Sequence, residues 1–192
     1  MRADKRLIVF FVLAALCACT RKPYNPISAD VKAKFNYQPG TYWVYRDTLS
    51  GETDSFCVTT NTVQNTDVLN ESIFMNVARY NLTAPADSGM LRCVLSQNYI
   101  QTYALNITVT YPFTIGTIAD VAVLTTGSTY SINGQTFANV AQITRTIKTP
   151  DIYTDTLYMN ADVGIIQITE YRKIDTVATT KVFALQKWNI IR

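Results

Sequence analysis

From Pro39-Gly40 to its last residue the chain keeps one pattern: short runs rich in Thr, Val, Ile and Tyr that alternate in polarity with a period of two. Such alternation suits a pleated surface packed on one side and wet on the other, the signature of antiparallel strands. The clearest unit is Tyr42 to Asp47, a turn at Leu49-Ser50-Gly51-Glu52, then Asp54 to Thr60, a hairpin whose turn Gly51 supplies. Strand-like runs recur at 73–82, 89–95, 99–105, 108–113, 118–124, 130–132, 137–147, 152–159, 164–171 and 176–191. The spacing predicts an all-β fold, a single antiparallel meander forming a strongly curved sheet or a barrel. At most one short helix is expected, within Ile27 to Phe35, with Ser28 as cap, Asp30 in the first turn, and Lys32 and Lys34 near the end.

The first 18 residues read differently. Arg2, Lys5 and Arg6 form a basic start, Leu7 to Leu16 an unbroken apolar run, and small residues follow, which is the three-part form of a secretory leader. At about 1.5 Å per residue the apolar run covers roughly 15 Å, half of a hydrocarbon core of about 30 Å, so it is too short to span. In Leu16-Cys17-Ala18-Cys19 the aliphatic residue three places before Cys19 and the small residue just before it meet the lipobox pattern. Cys17, with Leu16 directly before it, does not. Ordinary secretory cleavage after Ala18 is disfavoured by the large Leu16 at −3. The expected organisation is a lipoprotein signal peptide over 1–18, a lipidated tether over 19–38 beginning at Cys19 and carrying Pro23 and Pro26, and one β domain over 39–192.

Charge and composition narrow the chemistry. Of 17 Lys and Arg and 14 Asp and Glu, three bases and one acid lie in the leader, which leaves the mature part at +1. A nucleic-acid partner is not expected from that balance, and the membrane is approached through the lipid. The chain has no histidine, which excludes Ser-His-Asp and Cys-His relays, imidazole bases and His-based zinc sites. The seven glycines form neither a phosphate loop nor a nucleophile elbow. No catalytic residue, metal site or cofactor is therefore assigned. Acid-pair hydrolysis through Asp151, Asp155, Asp162, Glu170 or Asp175 stays a distant alternative, against the simpler reading of these acids as turn and solvated strand-face residues.

Cys57 and Cys93 remain in the mature domain, and in an oxidising compartment a disulfide between them is expected, with buried free thiols as the alternative. Closing that loop would stabilise the fold by up to about 3.8 kcal/mol. Tyr99, Tyr103, Tyr111 and Phe113, with Tyr42, Trp43 and Tyr45, either line a cavity for a small apolar or glycan ligand or simply fill the core. Strand alternation would put Tyr99 and Tyr103 on one face, and Tyr111 and Phe113 on one face.

The segments Gly40 to Ser55, Ile132 to Val140, Asp162-Val163-Gly164-Ile165-Ile166 and the closing Leu185 to Ile190 with Trp188 resemble small outer-membrane lipoproteins of the Bacteroidota type. The resemblance implies a curved antiparallel sheet or barrel, lipocalin-like or like the half-barrels of lipoprotein carriers. It implies a cell-envelope location with palmitate-type acyl chains holding the protein at the outer membrane. In related lipoproteins an acidic run after the lipidated cysteine favours surface display; here Thr20, Arg21 and Lys22 stand there, which points to the periplasmic face. Three Asp-Thr-aliphatic triplets, with Thr48, Thr156 and Thr176, resemble O-glycosylation acceptors of Bacteroidota exported proteins. The function expected is that of a non-enzymatic binding or envelope-assembly accessory module, the small-ligand binder being the runner-up.

Overall fold

The computed structural model describes residues 24–65, 70–81, 89–105, 107–148 and 150–192. Cys17, Cys19 and the leader lie outside these residues. The elements are α1 (Ala29–Phe35), β1 (Tyr42–Asp47), β2 (Thr53–Asn65), β3 (Glu71–Asn81), β4 (Gly89–Ser96), β5 (Tyr99–Gln101) and β6 (Thr108–Thr110). They continue with β7 (Gly116–Ile118), β8 (Val121–Ile132), β9 (Gln135–Lys148), β10 (Ile152–Asn160), β11 (Gly164–Ile174) and β12 (Val177–Asn189). All strands join one antiparallel sheet in the order β6-β5-β4-β3-β2-β1-β12-β11-β10-β9-β8-β7. The fold is thus an all-β meander with one short helix, and the sheet is open, not closed into a barrel.

That order has a geometric consequence. The first and last strands pair in the middle of the sheet, and the middle of the chain supplies both edges. Laid flat, twelve strands at about 4.8 Å spacing would hold β6 and β7 about 53 Å apart. The connector between Thr110 and Gly116 spans six Cα steps, at most about 21 Å. The sheet must therefore curl until its edges face each other.

Alternation builds the inner face of that curl. Trp43, Tyr45 and Asp47 of β1 are buried while their neighbours are not, and Asp155, Leu157 and Met159 repeat the pattern on β10. The inner core gathers Phe56, Val58, Ile73, Met75, Leu95, Ile143, Ile165 and Leu185. Turns obey local chemistry: Asn133-Gly134, both at positive φ, close the two-residue hairpin between β8 and β9. Asp47 ties the β1–β2 turn by accepting from the Ser50 amide and hydroxyl and from the Val182 amide.

Tyr103 fills the centre of the curl. It sits in the connector between β5 and β6, stacks on Trp43 at 4.1 Å between ring centroids, and is 2% exposed. Tyr45 donates its hydroxyl to the Ile165 carbonyl at 2.7 Å, the Ile165 amide donates to Tyr103 at 3.1 Å, and the Tyr103 hydroxyl completes the ring against Tyr45 at 2.8 Å. Burial pushes both phenols well above their ordinary range, so they keep their protons. Gly164, at φ +97°, is the close-approach point: a Cβ there would stand 3.1 to 3.2 Å from Tyr37 Oη, Trp43 Nε1 and Tyr103 Oη.

Helix α1 closes one end of the curl. Ser28 caps it by accepting from the Val31 amide, Val31 and Phe35 point inward with no exposure, and Glu71 receives the Ile27 amide and Lys32. Ile27 and Tyr37 are buried with them, and Asn25 donates to Asn70 and accepts from the Glu71 amide, so residues 25–37 of the expected tether pack against the sheet.

Candidate binding seam

Where the edges face each other, a seam opens. The main chain of Ile107 and Tyr111 bonds across to Thr102 and Asn98, so by antiparallel alternation Thr108 and Thr110 of β6 turn their peptide groups the other way, into the seam. On the opposite side β7 pairs with β8 through the hairpin Ile118 to Val121, and Thr117 turns its peptide outward by the same alternation. Among the described residues no strand pairing joins β6 to β7. A cleft of about 280 Å³ lies here, walled by Val109, Ile115, Ile118, Val121 and Val123 with threonine hydroxyls between them. A second of about 270 Å³ shares Thr108 to Thr110 and adds Tyr99, Asp120 and Arg145. Each is near the small end of ligand-site volumes.

The inner face carries a second polar feature, toward the end opposite α1. Asp155, 3% exposed, accepts from Arg145 at 2.8 Å and from Arg172 at 2.5 Å. Its cross-strand neighbour Glu170 lies 3.7 Å from Arg172, Arg79 pairs with Asp54 at 2.7 Å, and Lys181 pairs with Glu52 at 2.7 Å. Burial raises the carboxyls of Glu170 and Asp54 above their ordinary values, with the arginines pulling the other way. A recess of about 180 Å³ between Asp54, Arg79, Leu105 and Glu170 lies below the usual range of ligand-site volumes. Each of these acids is engaged by a cation, the arrangement of a structural ion-pair network. Asp155→Ala is expected to cost about 3 kcal/mol, the low end for a broken buried pair, because the two guanidinium side chains keep 21% and 28% exposure. Urea unfolding measures it, and a loss under about 1 kcal/mol would show that the arginines simply turn to water.

Several expectations change against this geometry. Cys57 and Cys93 are both free. Cys57 pairs with Ala78 and Cys93 with Met75, so β3 lies between them, and Cys93 points inward while Cys57 alternates outward between Phe56 and Val58. Two strand spacings, about 10 Å, on opposite faces exceed the roughly 7 Å limit for a disulfide. Burial pushes the Cys93 thiol up to about 12, which makes it an inert core group.

The four candidate cavity residues do not converge. Tyr99 is 51% exposed beside the seam, Tyr103 is core, and Tyr111 and Phe113 pack edge-on against Phe35 of α1, at 5.0 and 6.2 Å. The strand-like runs 99–105 and 108–113 end early, at Gln101 and Thr110, the second just before Pro112, which has no N–H for a ladder. Of the acids, Asp151 and Asp175 sit in or beside turns and Asp162 is an exposed partner of Lys34, but Asp155 and Glu170 face inward, against the expectation of a solvated face. Thr48 and Thr176 lie exposed at hairpin turns, whereas Thr156 is half-buried mid-strand and bonded to Thr144. The seam itself is not among the sequence expectations, although the run Thr108 to Ala119 carries no charged residue and is its signal.

No family model matches this chain, and no curated protein matches it. Among solved structures it is similar to one described as a "putative lipoprotein" from Parabacteroides distasonis, at 14% identity and a TM-score of 0.45 over 81% of this chain and 97% of the other.

Proposed function

We propose that the chain is a lipid-anchored lipoprotein of the cell envelope, held through Cys19 at the periplasmic face of the outer membrane, that acts as a non-enzymatic binding or assembly module. The leader with its Leu16 and Ala18 flanks supports the anchor, and the uncharged-to-basic Thr20-Arg21-Lys22 supports the periplasmic side. The open seam carries the binding role. Two sheet edges with outward-turned peptide groups at Thr108, Thr110 and Thr117, set beside an apolar cleft, are what an added β-strand requires: main-chain bonds for affinity and a groove for alternate side chains. The interior does not serve a small ligand in this reading, since Tyr103 and its hydrogen-bonded ring occupy the centre. A non-enzymatic role is supported by the pairing of Asp155, Asp54 and Glu52 with cations.

The test is site-specific photo-crosslinking in intact membranes. A photoactivatable residue at Thr110 is expected to give a discrete protein adduct and the same residue at Thr176, exposed on a distant turn, none. Equal labelling at both positions would remove the seam as the partner site.

A further inference from the structure

We propose that the domain stands on the bilayer by the end where its tether leaves, with Tyr24, Pro26 and Val63 at the lipid surface and the seam opening away from it. The inference rests on the Cys19 anchor and adds to it the face that meets the lipid. Tether length comes first. Cys19 is five Cα steps from Tyr24, so the acylated residue lies within about 18 Å of it. The next residue is already fastened: Asn25 donates to Asn70, its carbonyl receives the Glu71 amide, and the Glu71 carboxylate receives the Ile27 amide. Glu71 is the first residue of β3 and pairs with Asn65, the last of β2, so the tether leaves the fold at the end of that hairpin. β2 has 13 residues, which puts Thr53 about 40 Å along the strand from Asn65. That is more than twice the reach of the tether, so the domain cannot stand inverted on its β1–β2 turn.

Surface chemistry at this end suits a lipid neighbour. Tyr24 is 56% and Val63 58% exposed, Pro26 is exposed as well, and no charged residue occurs from Ser55 to Thr66. Tyrosine is an amphipathic aromatic that favours the membrane–water boundary. The lysines of α1 are paired within the fold, Lys32 with Glu71 and Lys34 with Asp162. Arg21 and Lys22, between the acylated residue and Tyr24, are drawn to anionic headgroups. Asp30, exposed in the first turn of α1, keeps its water, so the contact stays interfacial and does not enter the hydrocarbon. The seam remains free. β1 leaves the α1 end, and alternation along the antiparallel sheet makes β7 run the same way, to the turn at Ala119-Asp120. Val121 beyond that turn pairs with Arg145, which bonds Asp155 at the far end. A strand added at Thr108, Thr110 and Thr117 therefore approaches from the compartment, not from the lipid. A protein covering Tyr24 and Val63 is the competing occupant.

Tryptophan reporters decide the matter: Tyr24→Trp and Val63→Trp at the tethered end, Ile118→Trp at the seam and Leu49→Trp at the β1–β2 turn. All four sites are exposed, and an unchanged melting temperature is required of each variant. The full-length protein is extracted from membranes and returned to phosphatidylethanolamine–phosphatidylglycerol vesicles with brominated acyl chains, and Cys19 acylation is read by mass on the same sample. Relative to unmodified protein, the added fluorescence at 24 and 63 is expected to fall at least twofold while that at 118 and 49 stays constant. With acylation confirmed, no quenching at 24 and 63, or equal quenching at 118 or 49, overturns the proposal and leaves the anchor standing. Shielding of 24 and 63 from aqueous acrylamide without bromolipid quenching assigns this end to a protein partner and also overturns it. If Cys19 proves unacylated, the anchor fails, and the same variants held by an N-terminal hexahistidine before Thr20 on nickel-chelating lipid still decide whether this end meets lipid.

Discussion

Replacing Cys19 with serine is expected to transfer nearly all of the protein from the membrane to the soluble fraction, while Cys17→Ser leaves it bound. Magnitudes decide this. A buried methylene is worth about 0.8 kcal/mol, and one myristoyl chain binds with an association constant of only about 10⁴ M⁻¹, so stable residence needs the two or three chains of a modified N-terminal cysteine. The serine variant therefore loses the acyl chains that hold the protein. Detergent-phase partitioning followed by immunoblotting measures the outcome. Retention of Cys19→Ser together with release of Cys17→Ser would falsify the lipobox assignment.

The meander is legible in the sequence because its signal is local. Alternation in Tyr42 to Asp47 or Ile152 to Met159 needs no knowledge of neighbours, and Asn133-Gly134 announces its turn. What depends on register is not legible in the same way. Cys57 and Cys93 both lie in good strands, but only the pairings through β3 show them two strands apart and on opposite faces. Residue type alone groups Asp155 with turn acids, although its parity with Leu157 and Met159 marks it as inward, and its two arginine partners come from different strands. Tyr103 misleads in the other direction. Spaced four residues from Tyr99 it reads as one strand face, yet the strand stops at Gln101 and the connector carries Tyr103 across the curl while Tyr99 stays outside. The seam eludes sequence reasoning because it is a property of closure: β6 and β7 are three residues each, and nothing local says that they become the two edges of one sheet.

That long reach makes Tyr103 the residue whose truncation should cost most. Tyr103→Ala is expected to destabilise the domain by about 5 kcal/mol, from two sources that fall together. Removing a fully packed aromatic ring costs about 3 to 5 kcal/mol, and here the stacked Trp43 and the tilted Phe56 both lose a neighbour. The Ile165 amide also loses its partner, and an unsatisfied buried donor adds about 1 to 3 kcal/mol unless water enters. Against a domain stability of about 5 to 15 kcal/mol, the alanine variant stands close to unfolding, so Tyr103→Phe is the informative companion. It keeps the stack and breaks only the ring of hydroxyl bonds, for an expected cost of about 1 to 3 kcal/mol. Urea denaturation gives both values, and equal losses for the two variants would mean that the hydroxyl ring, not the packing, holds the connector down. The functional consequence follows from position. Tyr103 ties the β5–β6 connector to β1 and β11, so it fixes one wall of the seam. Loosening it in Tyr103→Phe should raise exchange of the bonded Thr102 and Tyr111 amides before it raises exchange in β10 or β11, and uniform exchange across the sheet would show the seam wall to be held by something else.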